Sequence, residues 1–248
     1  MQASNGVRAI LFDLDGTLRH NIPSSNHTFF DYAAELGAAD SPAQRLRTIR
    51  WVHYYWAQSP ELMGDLGVFG TLDDAFWAFY AERALTVFGC SDEQARGLAP
   101  LVSKRMSEEY EPLDHVPPEV HETLRALREA GLQLAVVSNR SNPFDEQLAT
   151  LELSQYFEFA IAAGVLDLWK PEAGIFLHAV ERLGVRPEET MYVGDNYFAD
   201  VVGARNAGLQ PVLIDPEGVF KDASDLIGEC PVIRDMCELL PLLQHTPQ

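Results

Sequence analysis

Basic residues are scarce in this chain. Lysine and arginine together number 18 against 37 aspartates and glutamates, a formal net charge of −19. A nucleic-acid backbone is bound through an excess of cations, so this balance argues against a nucleic-acid partner and equally against an anionic membrane surface. The acidic excess bears on solubility and says nothing about fold. Cysteine is scarcer still. Cys90, Cys230 and Cys237 form an odd, scattered set, and their spacing is neither that of a zinc site nor that of a disulfide framework. Free buried thiols in a reducing cytoplasm are the expectation. No apolar run approaches the roughly 20 residues that span a bilayer. The N-terminus lacks the basic-then-apolar pattern of a signal peptide, and no internal repeat or low-complexity tract occurs. The 248 residues, 47% of them apolar, suit one large domain or two small ones with a true core. No oligomerisation signal stands out, so a monomer is the default and a dimer stays open.

What is present is organised around residues 10–18, Ile-Leu-Phe-Asp-Leu-Asp-Gly-Thr-Leu. An apolar run reads as a buried strand and ends abruptly in Asp13, Asp15, Gly16 and Thr17. Residues i and i+2 of an extended chain point to one side, so the two carboxylates can face one spot beyond the strand end. Carboxylates held that close repel, which raises a pKa unless a cation lies between them. Gly16 permits a sharp turn and close approach of backbone to a ligand. The functional reading is a metal-assisted acid/base or nucleophilic site. The plain alternative is a strand-ending turn, since aspartate and glycine favour turns.

From about residue 25 to about 111 the texture is helical. Apolar residues recur at three- and four-residue steps: Phe29, Phe30, Ala33 and Leu36 up to Gly37; Leu46, Ile49, Val52 and Tyr55; Leu72, Phe76, Phe79 and Ala84. The aromatic run from Trp51 to Trp56 reads as the core of a small bundle or the wall of a pocket. From Pro112 strands and helices alternate. Residues 118–130 form a helix with Val120, Leu124 and Leu127 as its stripe. Residues 132–137 form a strand ending at Ser138, Asn139 and Arg140, with a helix at about 144–151 to follow. A short strand at 159–162, Lys170-Pro171 ahead of a helix bearing Ile175, Phe176, Ala179, Val180 and Leu183, and a strand at 191–193 ending in Gly194-Asp195 come next. A helix at 200–207, a strand at 211–214 and a short helix at 236–243 complete the pattern. Such alternation implies an α/β fold with a parallel sheet covered on both faces, whose ligand sits beyond the carboxyl ends of the strands. Asp13, Asp15, Ser138 and Asp195 all fall there, with the helical stretch as a lid.

Taken together, these residues resemble the haloacid dehalogenase superfamily. Asp13-Leu14-Asp15-Gly16-Thr17 matches its D-x-D-G-T motif, Ser138 its second motif, Lys170 its third, and Gly194-Asp195 through Asp200 its G-D-x4-D. All four occur in order across nearly the whole chain. The resemblance implies a Rossmann-like core formed by residues 1–20 and 112–248, with an all-helical cap, residues 21–111, inserted after the first strand. It also implies a phosphatase acting on a small phosphorylated metabolite. Asp13 would be the nucleophile, forming an aspartyl phosphate. Asp15 would protonate the leaving oxygen and then deprotonate the attacking water, a role that near neutral pH requires surroundings that raise its pKa. Ser138 would hydrogen-bond a phosphoryl oxygen, and Lys170 would balance the charge of nucleophile and phosphoryl group. Gly16, Thr17 and Asn139 would join them on the phosphate side. Mg²⁺, an oxygen-seeking cation that takes few carboxylates, would be held by the Asp13 side chain, the Asp15 backbone carbonyl and Asp195. Asp200 would support Lys170 or the metal, or simply cap a helix.

Asp15 also separates reactions within the resemblance. Dehalogenating members lack an acid at this position because a departing halide needs no proton. A phosphomutase of a sugar phosphate needs the same core and remains an alternative, as does an idle binding protein. Phosphonate cleavage would require a cap lysine, and 21–99 contains none. Arg19 and His20 read as solvated loop residues or substrate contacts, and Arg140 and Asn142 as candidate substrate contacts.

Overall fold

Four apolar residues, Ala9–Phe12, are wholly buried and form the central strand β1. The structure, a computed structural model, describes residues 6–245. It divides into two compact units, one comprising Asn21–Leu113 and the other the segments on either side.

In chain order the strands are β1, β2 (His20–Ile22), β3 (Leu113–His115), β4 (Gln133–Ser138), β5 (Ala160–Ala162), β6 (Thr190–Gly194), β7 (Gln210–Ile214) and β8 (Val232–Ile233). Six of them form one sheet in the order β5-β4-β1-β6-β7-β8, every neighbouring pair parallel. β2 and β3, where the chain crosses between units, make a separate two-stranded sheet. Strand order turns back on either side of β1, and such switch points open a crevice at the carboxyl edge.

Successive residues of a strand face opposite sides, and β1 shows it. Ile10 and Phe12 enter one core with Val120, Leu124 and Leu127, while Ala9 and Leu11 enter a second with Ile175, Phe176, Ala179 and Val180. The parallel sheet is therefore covered on both faces, as the alternation implied. The helix ahead of β4 is Pro118–Glu129, within one residue of expectation, and the one following Lys170 is Ala173–Leu183, which buries the expected stripe. The helix expected from residue 200 instead opens earlier, as a π-turn at Tyr197–Val201 that runs into Val202–Asn206. Among the described residues no helix is long and apolar enough to cross a membrane.

The helical unit contains five helices: Ser25–Glu35, Pro42–Trp56, Pro60–Phe69, Asp74–Phe88 and Asp92–Glu109. Ser41, Ser59, Asp73 and Ser91 each accept a backbone N–H three residues on, the N-cap hydrogen bond. The last helix was hidden in the sequence because Gly97 and Pro100 lie within it, residues that ordinarily break the pattern. Tyr55 is fully buried with Leu62 and Phe76, and Trp51, Trp56 and Tyr80 pack around them. Asp65 is buried beside this cluster, accepting hydrogen bonds from Tyr55 OH at 2.9 Å and Arg83 Nη2 at 2.8 Å. The aromatic run thus serves the bundle core.

Gly203 marks how tightly the core unit is packed. A Cβ there would lie 2.5 Å from the Phe176 ring and 3.0 Å from Pro171 Cα. Phe176 is fully buried and cannot swing aside. Gly203→Ala is expected to destabilise the protein by about 1–3 kcal/mol, seen as a lower urea midpoint at unchanged m-value.

Candidate active site

The parallel register brings the ends of three strands level. Phe12 pairs with Val136 on one side and Val193 on the other, and Asp13 N–H donates to Val193 O at 2.9 Å. Asp13, Ser138 and Asp195 therefore leave the sheet at the same edge.

Lys170 is the centre of the arrangement. It is 2% exposed, and its ammonium donates to Asp13 Oδ1 at 2.7 Å, Asp200 Oδ1 at 2.7 Å and Tyr192 OH at 2.9 Å. An ammonium has three protons, and each finds an acceptor. Tyr192 OH in turn donates to Val137 O at 2.9 Å. The lysine backbone is held as well. Asn139 Nδ2 donates to Lys170 O at 2.9 Å, and Lys170 N–H donates to Asn139 Oδ1 at 2.8 Å. Both ends of the Asn139 amide are thus engaged in fixing the lysine loop.

Asp200 is 1% exposed, and its second oxygen accepts from Asn196 N–H at 2.9 Å. The helix N-cap is Asn196, whose Oδ1 accepts from Phe198 and Ala199 N–H. The capping alternative for Asp200 is thereby corrected: a π-turn that begins at Tyr197 puts Asp200 inside the helix, where its carboxylate meets Lys170.

Two glycines allow this crowding. At Gly194 a Cβ would lie 2.3 Å from Asp200 Oδ2, and at Gly16 a Cβ would lie 2.3 Å from Asp195 Oδ2. Gly16 also has φ +84°, in the left-handed region that favours glycine.

Asp15, two residues from Asp13, has different surroundings. Its side chain is 42% exposed. Arg140 donates from Nε to Oδ2 at 2.7 Å and from Nη2 to Oδ1 at 2.8 Å, and Arg19 Nε donates to Oδ1 at 3.1 Å. Arg19 itself is 7% exposed, which corrects its reading as a solvated loop residue: the tight turn folds it back onto the carboxylate four positions earlier. Thr17 and Ser138 are both buried, and the Thr17 hydroxyl has no hydrogen-bond partner.

The buried carboxylates outnumber the buried cation. Oxygens of Asp13, Asp195 and Asp200 lie within 4.8 Å of one another, with Lys170 as their counter-charge. Burial pushes Asp13 up to about 7 despite the pull of Lys170. Burial likewise raises Asp195 well above the usual carboxylate range, and the charges of Asp13 and Asp200 raise it further. Burial alone would lower Lys170, but Asp13 and Asp200 hold it well above its ordinary value. A divalent, oxygen-seeking cation answers this excess of negative charge, so the donor set fits Mg²⁺.

A model of the haloacid dehalogenase-like hydrolase family matches residues 7–208. The chain belongs to that family. It is similar to a ribulose-1,5-bisphosphate 5-phosphatase of Halopiger xanaduensis, 32% identical over 84% of each chain. It is also similar to the phosphoglycolate phosphatase of Escherichia coli K12, 28% identical over 98% of this chain and 95% of that one. Among solved structures, a predicted phosphoglycolate phosphatase from Haemophilus somnus shares the fold, with TM-score 0.58 at 19% identity over 96% of this chain and 99% of that one. The chain is thus a hydrolase with the Rossmann-like fold of its family.

Sequence reasoning missed the neighbours of these residues. Arg19 and Arg140 stood in view without an assigned partner, and Tyr192 was read only as a strand residue. The one signal for Tyr192 is a polar-tipped aromatic in an otherwise apolar strand, one that needs a hydrogen bond when buried. Tyr192→Phe strips an acceptor from Lys170 and a donor from Val137 O, both buried. A stability loss of about 1–3 kcal/mol is expected, measured by thermal or urea unfolding.

Proposed function

We propose that this hydrolase is a phosphatase of small phosphomonoesters, working through an aspartyl phosphate on Asp13 with Asp15 as general acid and base. The observation that carries this reading is the contact of Lys170 with Asp13. A buried carboxylate is kept beside a fixed cation, at the end of a strand, with a second carboxylate two residues on.

In the first step an Asp13 oxygen attacks phosphorus, the bond from phosphorus to the leaving oxygen breaks, and Asp15 gives that oxygen its proton. In the second, water attacks the phosphorus of the aspartyl phosphate while Asp15 takes its proton, and phosphate departs with Asp13 restored. Lys170 stays charged throughout and offsets the negative charge gathering on the phosphoryl oxygens, a fixed electrostatic contribution. The Thr17 hydroxyl, buried and unpartnered, is available to a phosphoryl oxygen, as is Ser138 at the end of β4. Asn139 serves by holding Lys170. When bound, Mg²⁺ would be held by Asp13, the Asp15 carbonyl and Asp195, and would offset the charge of the entering phosphate.

The names of the relatives, a phosphoglycolate phosphatase and a bisphosphate phosphatase, support a small anionic metabolite as substrate. Asn21–Leu113 is the cap of this reading and the segment that chooses the substrate. Cys90 and Cys230 are buried, whereas Cys237, expected buried, is exposed; the free state of all three supports a reducing, cytoplasmic setting.

The test is phosphate release from a panel that includes phosphoglycolate, ribulose 1,5-bisphosphate, other sugar phosphates and nucleotides. Native protein with Mg²⁺ should hydrolyse at least one member. Chelation should abolish the activity, and Asp13→Asn should lower it by roughly 10³-fold or more. Absence of hydrolysis across the panel, or activity that survives in Asp13→Asn, would sink the proposal.

A further inference from the structure

We propose that Arg140 is the positioning residue for Asp15, acting within a closed ring of five side chains. This rests on the acid and base role of Asp15 given above.

The ring can be followed bond by bond. Arg140 grips both oxygens of Asp15, at 2.7 and 2.8 Å. Its remaining arm, Nη1, donates to Gln147 Oε1. Gln147 Nε2 donates to Asp114 Oδ2 at 2.5 Å. Asp114 Oδ1 pairs with Arg19 Nη1 at 3.2 Å, and Arg19 Nε returns to Asp15 Oδ1 at 3.1 Å. Two arginines, two aspartates and one glutamine close the circuit.

The members come from four places in the chain. Asp15 and Arg19 flank the turn after β1, Asp114 lies in β3, Arg140 follows β4, and Gln147 sits on the helix Asp145–Thr150. Arg140 also lies over the Phe144 ring at 5.4 Å. The planar fork of an arginine suits two-point contact with a carboxylate. Nε and both terminal nitrogens are engaged by protein groups, two of them by Asp15.

The ring answers a need that the mechanism creates. Asp13 is locked by burial and by Lys170, whereas Asp15 stands half-exposed on a loop. A group that transfers a proton must be held in place, and a displacement of about 1 Å can cost about 10²-fold in rate.

Leaving groups provide the readout. A 4-nitrophenolate departs without a proton, whereas an alkoxide needs one. The first turnover is timed by rapid mixing for 4-nitrophenyl phosphate and for the alkyl phosphate that the native enzyme hydrolyses fastest. With Arg140→Ala, release of the alcohol should slow by about 10- to 100-fold, release of nitrophenol by no more than about threefold, and KM should hold for both. Arg140→Lys should remain impaired, since an ammonium cannot span both oxygens. Gln147→Ala leaves the arginine in place, opens the ring, and should show the same split at smaller size. It carries the test if Arg140→Ala does not fold. Asp15→Asn is the reference. If it slows both esters alike, the acid role is wrong and this proposal falls with it. If Asp15→Asn shows the split but the Arg140 and Gln147 variants slow both esters equally or neither, or only raise KM, the ring does not position Asp15 and the proposal is overturned.

Discussion

A single ammonium group buried among two carboxylates and a phenol sets the terms for the rest of this molecule. Taking charges out of water costs several kcal/mol per ion, recovered only when geometry and hydrogen bonding are complete. Lys170 meets that demand, with each proton on an acceptor and the backbone on either side of its Cα bound to Asn139. The partners are anchored in turn: Tyr192 on Val137 O, Asp200 on Asn196 N–H, and Asp13 on the end of β1 through Val193 O. The chain of supports runs through three adjacent strands of the sheet, so the sheet order and the charge cluster are one constraint seen at two scales. A register slip in β6 would turn Tyr192 to the opposite face and leave Lys170 an acceptor short.

The two carboxylates of the first motif illustrate how environment can divide labour between like groups. Asp13 is enclosed and faces a fixed cation on a short tether. Asp15 is half-exposed and is held by guanidinium groups whose own partners lie on distant segments. In the proposed reading the first takes the bond to phosphorus and the second moves the proton. Nothing in the residue type distinguishes them; neighbours 125 and 157 positions away do.

Much of this was legible from the sequence, and the limits of that legibility are physical. β1, β4, β6 and β7 could be read because a central parallel strand must be apolar on both faces, and the first three end at polar groups expected at the ligand edge. β8, at the sheet edge, is two residues long and leaves no periodicity to detect. The fifth helix of the helical unit was masked by Gly97 and Pro100. In the site, Asp13, Lys170 and Asp195 were marked by motif spacing, because spacing reflects which strand end each occupies. The partners of Asp15 were not, because a ring of side chains drawn from four places leaves little local pattern. Asp200 lay between these cases: its position was evident, and its role depended on where the helix begins, which a π-turn moved by three residues.

The glycines show that motif spacing is a packing constraint as much as a chemical one. Gly16 lies against the Asp195 carboxylate, Gly194 against Asp200, and Gly203 against Phe176 and Pro171. Each carboxylate or ring occupies the space where a side chain would otherwise stand. Acidic groups that must share so small a volume can approach only where backbone offers no bulk. The same glycines therefore bring the charges close enough to repel and make a counter-cation necessary. The D-x-D-G and G-D patterns then follow from one requirement: negative charge concentrated at a strand edge, with backbone thin enough to admit it.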